Sequence, residues 1–169
     1  MQNTGRPLHL LFAGSGELGQ EIRQSCHVIF DAEVGASISP GVIVGNGHAP
    51  HASFTGFLNQ TEISKAYVAA DCLVLPSDYG ETWGLVVNEA LASGLPCIAS
   101  DACGCSEDLI APLNPALRFR LGDPASLSSA LLSLIKRPVP SIKLREQVDK
   151  FNLSASVATV RRLYHQTRN

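Results

Sequence analysis

Positive charge is scarce through the middle of the chain: Lys65 is the only Lys or Arg between Arg23 and Arg118. With 13 basic against 15 acidic residues and a net charge of -2, there is no electrostatic footprint for a nucleic-acid backbone or an anionic membrane. No uncharged apolar run approaches the roughly 18 residues of a membrane span, and Met1 to Pro7 lack the apolar core of a signal peptide. A cytoplasmic chain is expected. The five cysteines are odd in number and irregularly placed, which suits reduced thiols rather than a disulfide framework. Cys103 and Cys105 form a C-x-C with no second ligand pair, a poor zinc signal. His48 and His51, with Pro50 between them, are half a metal site that nothing completes, and they read as exposed loop histidines. Neither metal nor cofactor is expected.

What the sequence does hold is apolar: 45% of 169 residues are hydrophobic and 17% charged, enough for one domain with its own core. Leu8 to Ala13 is a short apolar run that ends in Gly14-Ser15-Gly16, and Leu18 and Ile22 follow at helical spacing. Val28 to Phe30 and Val42 to Val44 look like strands. Glu62 to Ala70 predicts a helix, Cys72 to Leu75 a strand stopped by Pro76, Leu85 to Ala92 a helix, and Cys97 to Ala99 a buried strand. Leu117 to Leu121 is a weaker strand candidate. The remainder reads helical: Asp123 caps a helix through Ile135, Pro138 and Pro140 interrupt, and Ser154 to Tyr164 carries Val157, Val160 and Leu163 on one side. Strands that alternate with helices and read as solid apolar runs predict an α/β fold, a Rossmann-like doubly wound parallel sheet covered on both faces. Ligands then belong beyond the carboxyl ends of the strands, in the loops after Ala13, Phe54, Leu75 and Ala99.

One of those loops leads into an unusual helix. Between Thr82 and Ser100, Glu89 is the only ionisable residue apart from Cys97. A carboxylate inside a core-facing helix costs several kcal/mol unless it is paired or hydrogen-bonded, so Glu89 either reaches an edge or meets a hydroxyl donor. A ribose offers two. Glu81 lies eight residues earlier, beside Asp78, Tyr79 and Gly80 in a turning loop. Gly84 and Leu85 fall between, at a helix N-terminus whose free N–H groups and dipole suit a phosphate. Singly, Glu81 reads equally as a solvated loop acid and Glu89 as a helix residue paired to a neighbour. Together they form a carboxylate, a phosphate nest and a second carboxylate in one short segment.

The stretch from Leu75 through Pro-Ser-Asp-Tyr-Gly-Glu-Thr-Trp-Gly-Leu-Val-Val-Asn-Glu-Ala to Ser100 resembles the donor-site segment of the family 4 (group 1) retaining glycosyltransferases of GT-B architecture. Phe54 to Leu58, Gly104 to Ile110, Leu121 to Pro124 and the Ser154 to Tyr164 helix resemble further elements of that family, while Asp31 to His51 matches no motif. The resemblance implies the C-terminal, nucleotide-sugar-binding half of such an enzyme over residues 1–169, with the N-terminal acceptor domain absent. It implies that Glu81 contacts hydroxyls of the transferred sugar and that Glu89 accepts from the ribose hydroxyls. Amides near Gly84 and Leu85 would hold the diphosphate, Phe57 and Leu58 would line the base pocket, and Gly14 and Gly16 would let the first loop approach the donor. No metal is obligatory. Trp83 either packs beside the donor sugar or anchors the loop in the core.

A departing diphosphate needs positive charge. The family's phosphate-binding Arg and Lys lie just upstream of the first strand, and Met1 to Pro7 hold no counterpart, Arg6 standing in another context. The expectation is therefore weak nucleotide-sugar binding without transfer by these residues alone. Two other classes compete. Gly14-Ser-Gly-Glu-Leu-Gly19 fits G-x-G-x-x-G, with Asp31 or Glu33 near the place of a dinucleotide fold's ribose acid, so an NAD- or nucleotide-binding Rossmann module is the rival. A non-catalytic truncated scaffold keeping the fold without the chemistry is the third.

Overall fold

The computed structural model describes residues 8–33 and 49–167. The fold is α/β with every strand pair parallel. The chain groups into two compact units that meet in sequence at Ala69 and Ala70. The expected parallel α/β class is what the structure shows, and among the described residues the strands lie in two three-stranded sheets, one in each unit. β3 (His51–Phe54) takes β1 (His9–Phe12) on one side and β2 (His27–Asp31) on the other, and β5 (Cys97–Ser100) takes β4 (Leu73–Leu75) and β6 (Arg118–Phe119).

In the first unit, α1 (Gly19–Gln24) follows β1, and α2 (Ile63–Ala69) follows β3. Cys26, Ala52 and Phe54 form a small core with Phe12, Ile22 and Val28 packed on it, and Phe12 stacks on Phe54 at 4.8 Å between ring centres. Leu10 and Leu11 of β1, on opposite faces of the strand, are 37% and 39% exposed, and among the described residues β1 is an edge strand. His51 is not a loop histidine. It opens β3, paired in register with His9 and His27, and its ring meets that of His27 edge-on at 5.0 Å. The expected strand at Val42 to Val44, and His48, lie outside the described residues.

In the second unit, β4 leads through a loop into α3 (Leu85–Ala92) and then β5, all four of whose residues are buried. A π-helical turn, Ser106–Ile110, and a 3-10 turn, Pro115–Leu117, connect β5 to β6. The weak strand expected at Leu117 to Leu121 is thus real but only two residues long. α4 (Pro124–Lys136) starts where expected: Asp123 accepts from the amides of Ala125 and Ser126, and Pro124 sits at the first helical position. α5 (Ser141–Asp149) buries Leu144, Gln147 and Val148, and the Gln147 amide donates to the Asp108 carbonyl at 2.6 Å. α6 (Leu153–Gln166) is capped by Asn152, which accepts from the Ala155 amide, but buries none of its residues, so Val157, Val160 and Leu163 stay exposed. Among the described residues no helix is long and apolar enough to cross a membrane.

Candidate functional site

The loop from Pro76 to Gly84 stands on β4 and is shaped by its own polar groups. Asp78 accepts from the Gly80 amide at 2.9 Å, and its carbonyl accepts from the Glu81 amide at 3.1 Å, closing a turn that presents Glu81. Glu81 is half-buried, and its carboxylate makes no hydrogen bond or ion pair with the described residues. Gly84 ends the loop at φ 97°, a left-handed conformation that costs a residue with a Cβ about 1–2 kcal/mol. A Cβ there would also come within 2.9 Å of Leu75 and 3.0 Å of Cys105. Glu81 Cγ lies 3.8 Å from that same point, so this carboxylate arm and the start of α3 are neighbours.

Gly84 is also the N-cap of α3, and no side chain caps the helix. The first amides of a helix lack intrahelical acceptors, and here no Ser, Thr, Asp or Asn takes them up. Leu85 is 70% exposed at this start, and Glu89, four residues on, shares its side of the helix and is exposed as well. Of the two readings of Glu89, the structure shows the edge: the core is served by Val87, Ala90 and Leu91, leaving Glu89 on the opposite side. Of the sequence-predicted set, Glu81 neighbours the buried Gly84 at the start of α3, and Leu85 and Glu89 share one exposed side of that helix.

Trp83 has a definite anchor. Its indole N–H donates to Asn88 Oδ1 at 2.7 Å, and its ring lies 5.7 Å from Phe151 at the α5–α6 junction. The polar end of Trp83 is therefore already engaged. Sequence reasoning placed a loop after Ala99 but missed that the turn there holds the Glu81 loop. The Ser100 hydroxyl donates to the Ser77 carbonyl at 2.5 Å, and the Cys105 amide donates to the Trp83 carbonyl at 2.9 Å. Ser100 is fully buried, and a hydroxyl closing a solid apolar strand was the signal for it.

In the first unit, Gly14 and Gly16 belong to the loop after β1, and the Gly14 amide donates to the Gly56 carbonyl at 2.8 Å. A cleft of about 500 Å³ opens at this loop, lined by Gly14, Gly16, Arg23 and Glu33 among others. Phe57 is 79% exposed and Leu58 half-buried on the neighbouring loop, and neither lines that cleft. Asp31, the acid of the dinucleotide reading, is buried and occupied. Arg23 Nε donates to it at 2.6 Å and the Arg23 terminal nitrogen at 3.2 Å, while the Glu33 amide donates at 3.1 Å. The Arg23 guanidinium also reaches Glu33 at 3.1 Å and lies 4.6 Å above the Phe54 ring. The hydrogen bond from Arg23 holds the Asp31 carboxyl below its ordinary range, and both of its oxygens already accept from Arg23 or the Glu33 amide.

All five cysteines are unpaired. Burial pushes the Cys105 thiol up to about 12, with Cys103 and Glu81 nearby adding to the shift. A buried, protonated thiol is a poor metal ligand or nucleophile. Among the described residues no group of three His, Cys, Asp or Glu side chains is arranged to hold a metal.

A parallel α/β fold with an open helix start after a strand is a common setting for phosphate-bearing ligands. The sequence profile of the glycosyl transferases group 1 matches residues 46–152, and the chain belongs to that family. A sulfoquinovosyl transferase of Arabidopsis thaliana is 35% identical over 118 residues, which is 65% of this chain and 22% of the relative. A GDP-mannose-dependent alpha-mannosyltransferase of Mycobacterium tuberculosis is 42% identical over 48% of this chain and 23% of its own length. Among solved structures, sucrose-phosphate synthase from Thermosynechococcus elongatus is similar at a TM-score of 0.55 and 29% identity, over 69% of this chain and 30% of that one. The chain spans less than a third of the length of each of these relatives.

Proposed function

We propose that this protein contributes the donor-binding part of a retaining, GT-B, family 4 glycosyltransferase that moves a hexose from a nucleotide diphosphate sugar to an acceptor. The observation that carries the reading is the half-buried Glu81 carboxylate, without a partner among the described residues, beside an α3 start that no side chain caps. In this reading Glu81 accepts from hydroxyls of the transferred sugar, the Gly84 and Leu85 amides take the diphosphate, and Glu89 accepts from the ribose hydroxyls. Glu81 positions the sugar and is no nucleophile. The diphosphate leaves from the face at which the acceptor attacks, so the anomeric configuration is retained.

The reaction in this reading needs no metal, and it runs in the reducing cytoplasm, in keeping with five unpaired thiols. A second domain holds the acceptor and supplies cations for the leaving diphosphate, since residues 24–117 contain one cation. Residues 1–169 alone then bind a sugar nucleotide weakly and do not transfer.

The test is a pair of substitutions in the full-length protein, assayed with UDP-glucose, GDP-mannose and ADP-glucose for release of the nucleoside diphosphate. Glu81→Gln lowers turnover about a hundredfold while leaving nucleotide affinity within about threefold. Glu89→Ala weakens nucleotide binding about tenfold, near 1.4 kcal/mol. The reverse pattern means the two roles are exchanged, and no effect from either removes the reading.

A further inference from the structure

The Glu81 loop does not hold itself in place. Beneath it runs the turn after β5, and the two backbones touch along their length. A Cβ added at Gly104 would overlap the Thr82 carbonyl oxygen and lie 3.5 Å from the Trp83 Cα. One residue on, the Cys105 amide donates to the Trp83 carbonyl at 2.9 Å, and the Cys105 sulfur packs 3.0 Å from the Cβ position of Gly84. At the other end, the Ser100 hydroxyl bonds the Ser77 carbonyl, and Cys103 Sγ reaches that same oxygen at 3.6 Å. Ser100, Cys103 and Cys105 are at most 2% exposed, so these contacts are made against a packed floor and not in solvent.

We propose that Ser100 and Gly104 are positioning residues for Glu81, the hydroxyl fixing the start of the loop and the missing side chain at 104 fixing its end. The inference rests on the reading that Glu81 touches the transferred sugar. Its physical content is that a contact between two backbones is unforgiving: a Cβ at 104 meets a carbonyl that has no rotamer to adopt, so one of the two backbones must shift and their register is lost. In this proposal the shift displaces Glu81. Small misplacements of a group that touches the reacting sugar cost rate far more than they cost fold.

A double-substitution cycle in the full-length protein tests this, with the rate of nucleoside diphosphate release from the most active of UDP-glucose, GDP-mannose and ADP-glucose as the readout. Gly104→Ala is expected to lower kcat at least about thirtyfold with native helical circular dichroism, whereas in a Glu81→Gln background the same change costs less than about threefold. A merely structural role predicts equal losses in both backgrounds, and that additive result overturns the inference. Should Gly104→Ala fail to fold, Ser100→Ala decides the matter by the same cycle, with an expected loss of about fivefold that vanishes in the Glu81→Gln background. If Glu81→Gln alone leaves kcat unchanged, the reading of Glu81 falls first, and the positioning role falls with it for that separate reason.

Discussion

The central strands of the two sheets make opposite use of similar sequence. β3 alternates, with Ala52 and Phe54 buried and His51 exposed, whereas β5 buries every residue from Cys97 to Ser100. The edge strand β1 keeps Leu10 and Leu11 substantially exposed, although Leu8 to Ala13 is apolar at every position but His9. An apolar run therefore reports that a strand can be buried, and the elements packed on it decide whether it is. In the second unit α3 and the Ser106–Ile110 turn both pack on β5. The acidic loop is rooted in that doubly covered sheet, where its supports have little room to move.

The largest effect that sharpens this contrast comes from cavities. Ile98→Ala empties a fully buried site in β5 and is expected to cost about 2–5 kcal/mol, whereas Leu11→Ala in β1 removes a side chain already 39% exposed and costs about 1 kcal/mol or less. Urea unfolding of the two variants measures the difference. Equal costs would mean that the outer face of β1 is covered in solution, and the comparison between the sheets would dissolve.

The same contrast explains what was legible beforehand. Leu85 to Ala92 was bounded correctly because Gly84 and the Gly94-Leu-Pro96 stop are local signals, and Asp123 announced α4 through its own cap. Glu89 stood out because it is a lone charge in an apolar stretch, and the structure accounts for it by turning it away from Val87, Ala90 and Leu91. The π-helical turn and the contact of Gly104 with Thr82 were not legible. The contact joins residues 22 apart through backbone atoms, and no side-chain pattern records it. The pairing order within each sheet was hidden for a similar reason, since partners are chosen by register across the fold. α5 falls in the remainder that reads helical, but its bounds were not legible, with Pro140 just ahead of it and only three buried positions to mark its inner side.

An intermediate effect concerns the thiols, which sit on both sides of the comparison. Burial raises Cys26 in the first unit, lifts Cys72 to about 12, and takes Cys97 well above its ordinary value. All should resist an aromatic disulfide reagent at pH 8, but Cys26 lies in the smaller core and is exposed by shallower openings. Its modification, followed by peptide mass spectrometry, is expected to run about tenfold faster than that of Cys97 or Cys105. Modification of Cys97 first would place the weaker packing in the second unit.

The smallest effect is a pH dependence confined to the first unit, whose thin core is supplemented by the ion pair of Arg23 with Asp31. Arg23 holds the Asp31 carboxyl below its ordinary value of 3.8, so the folded form binds its proton less readily than the unfolded chain does. A depressed acid contributes stability that is complete above the unfolded value, and loses it as pH falls through the folded one. The protein should therefore be more stable than its Asp31→Asn variant at pH 6, and the gap should begin to close below about pH 4 and narrow further toward pH 2. Thermal melts of the pair across that range measure it, with Ile98→Ala as a control whose deficit stays constant because no proton is involved. A gap for Asp31→Asn that is equally flat would show that the arginine supports this carboxylate through packing over Phe54 alone, and the first unit would then owe its stability to the same apolar contacts as the second, only fewer of them.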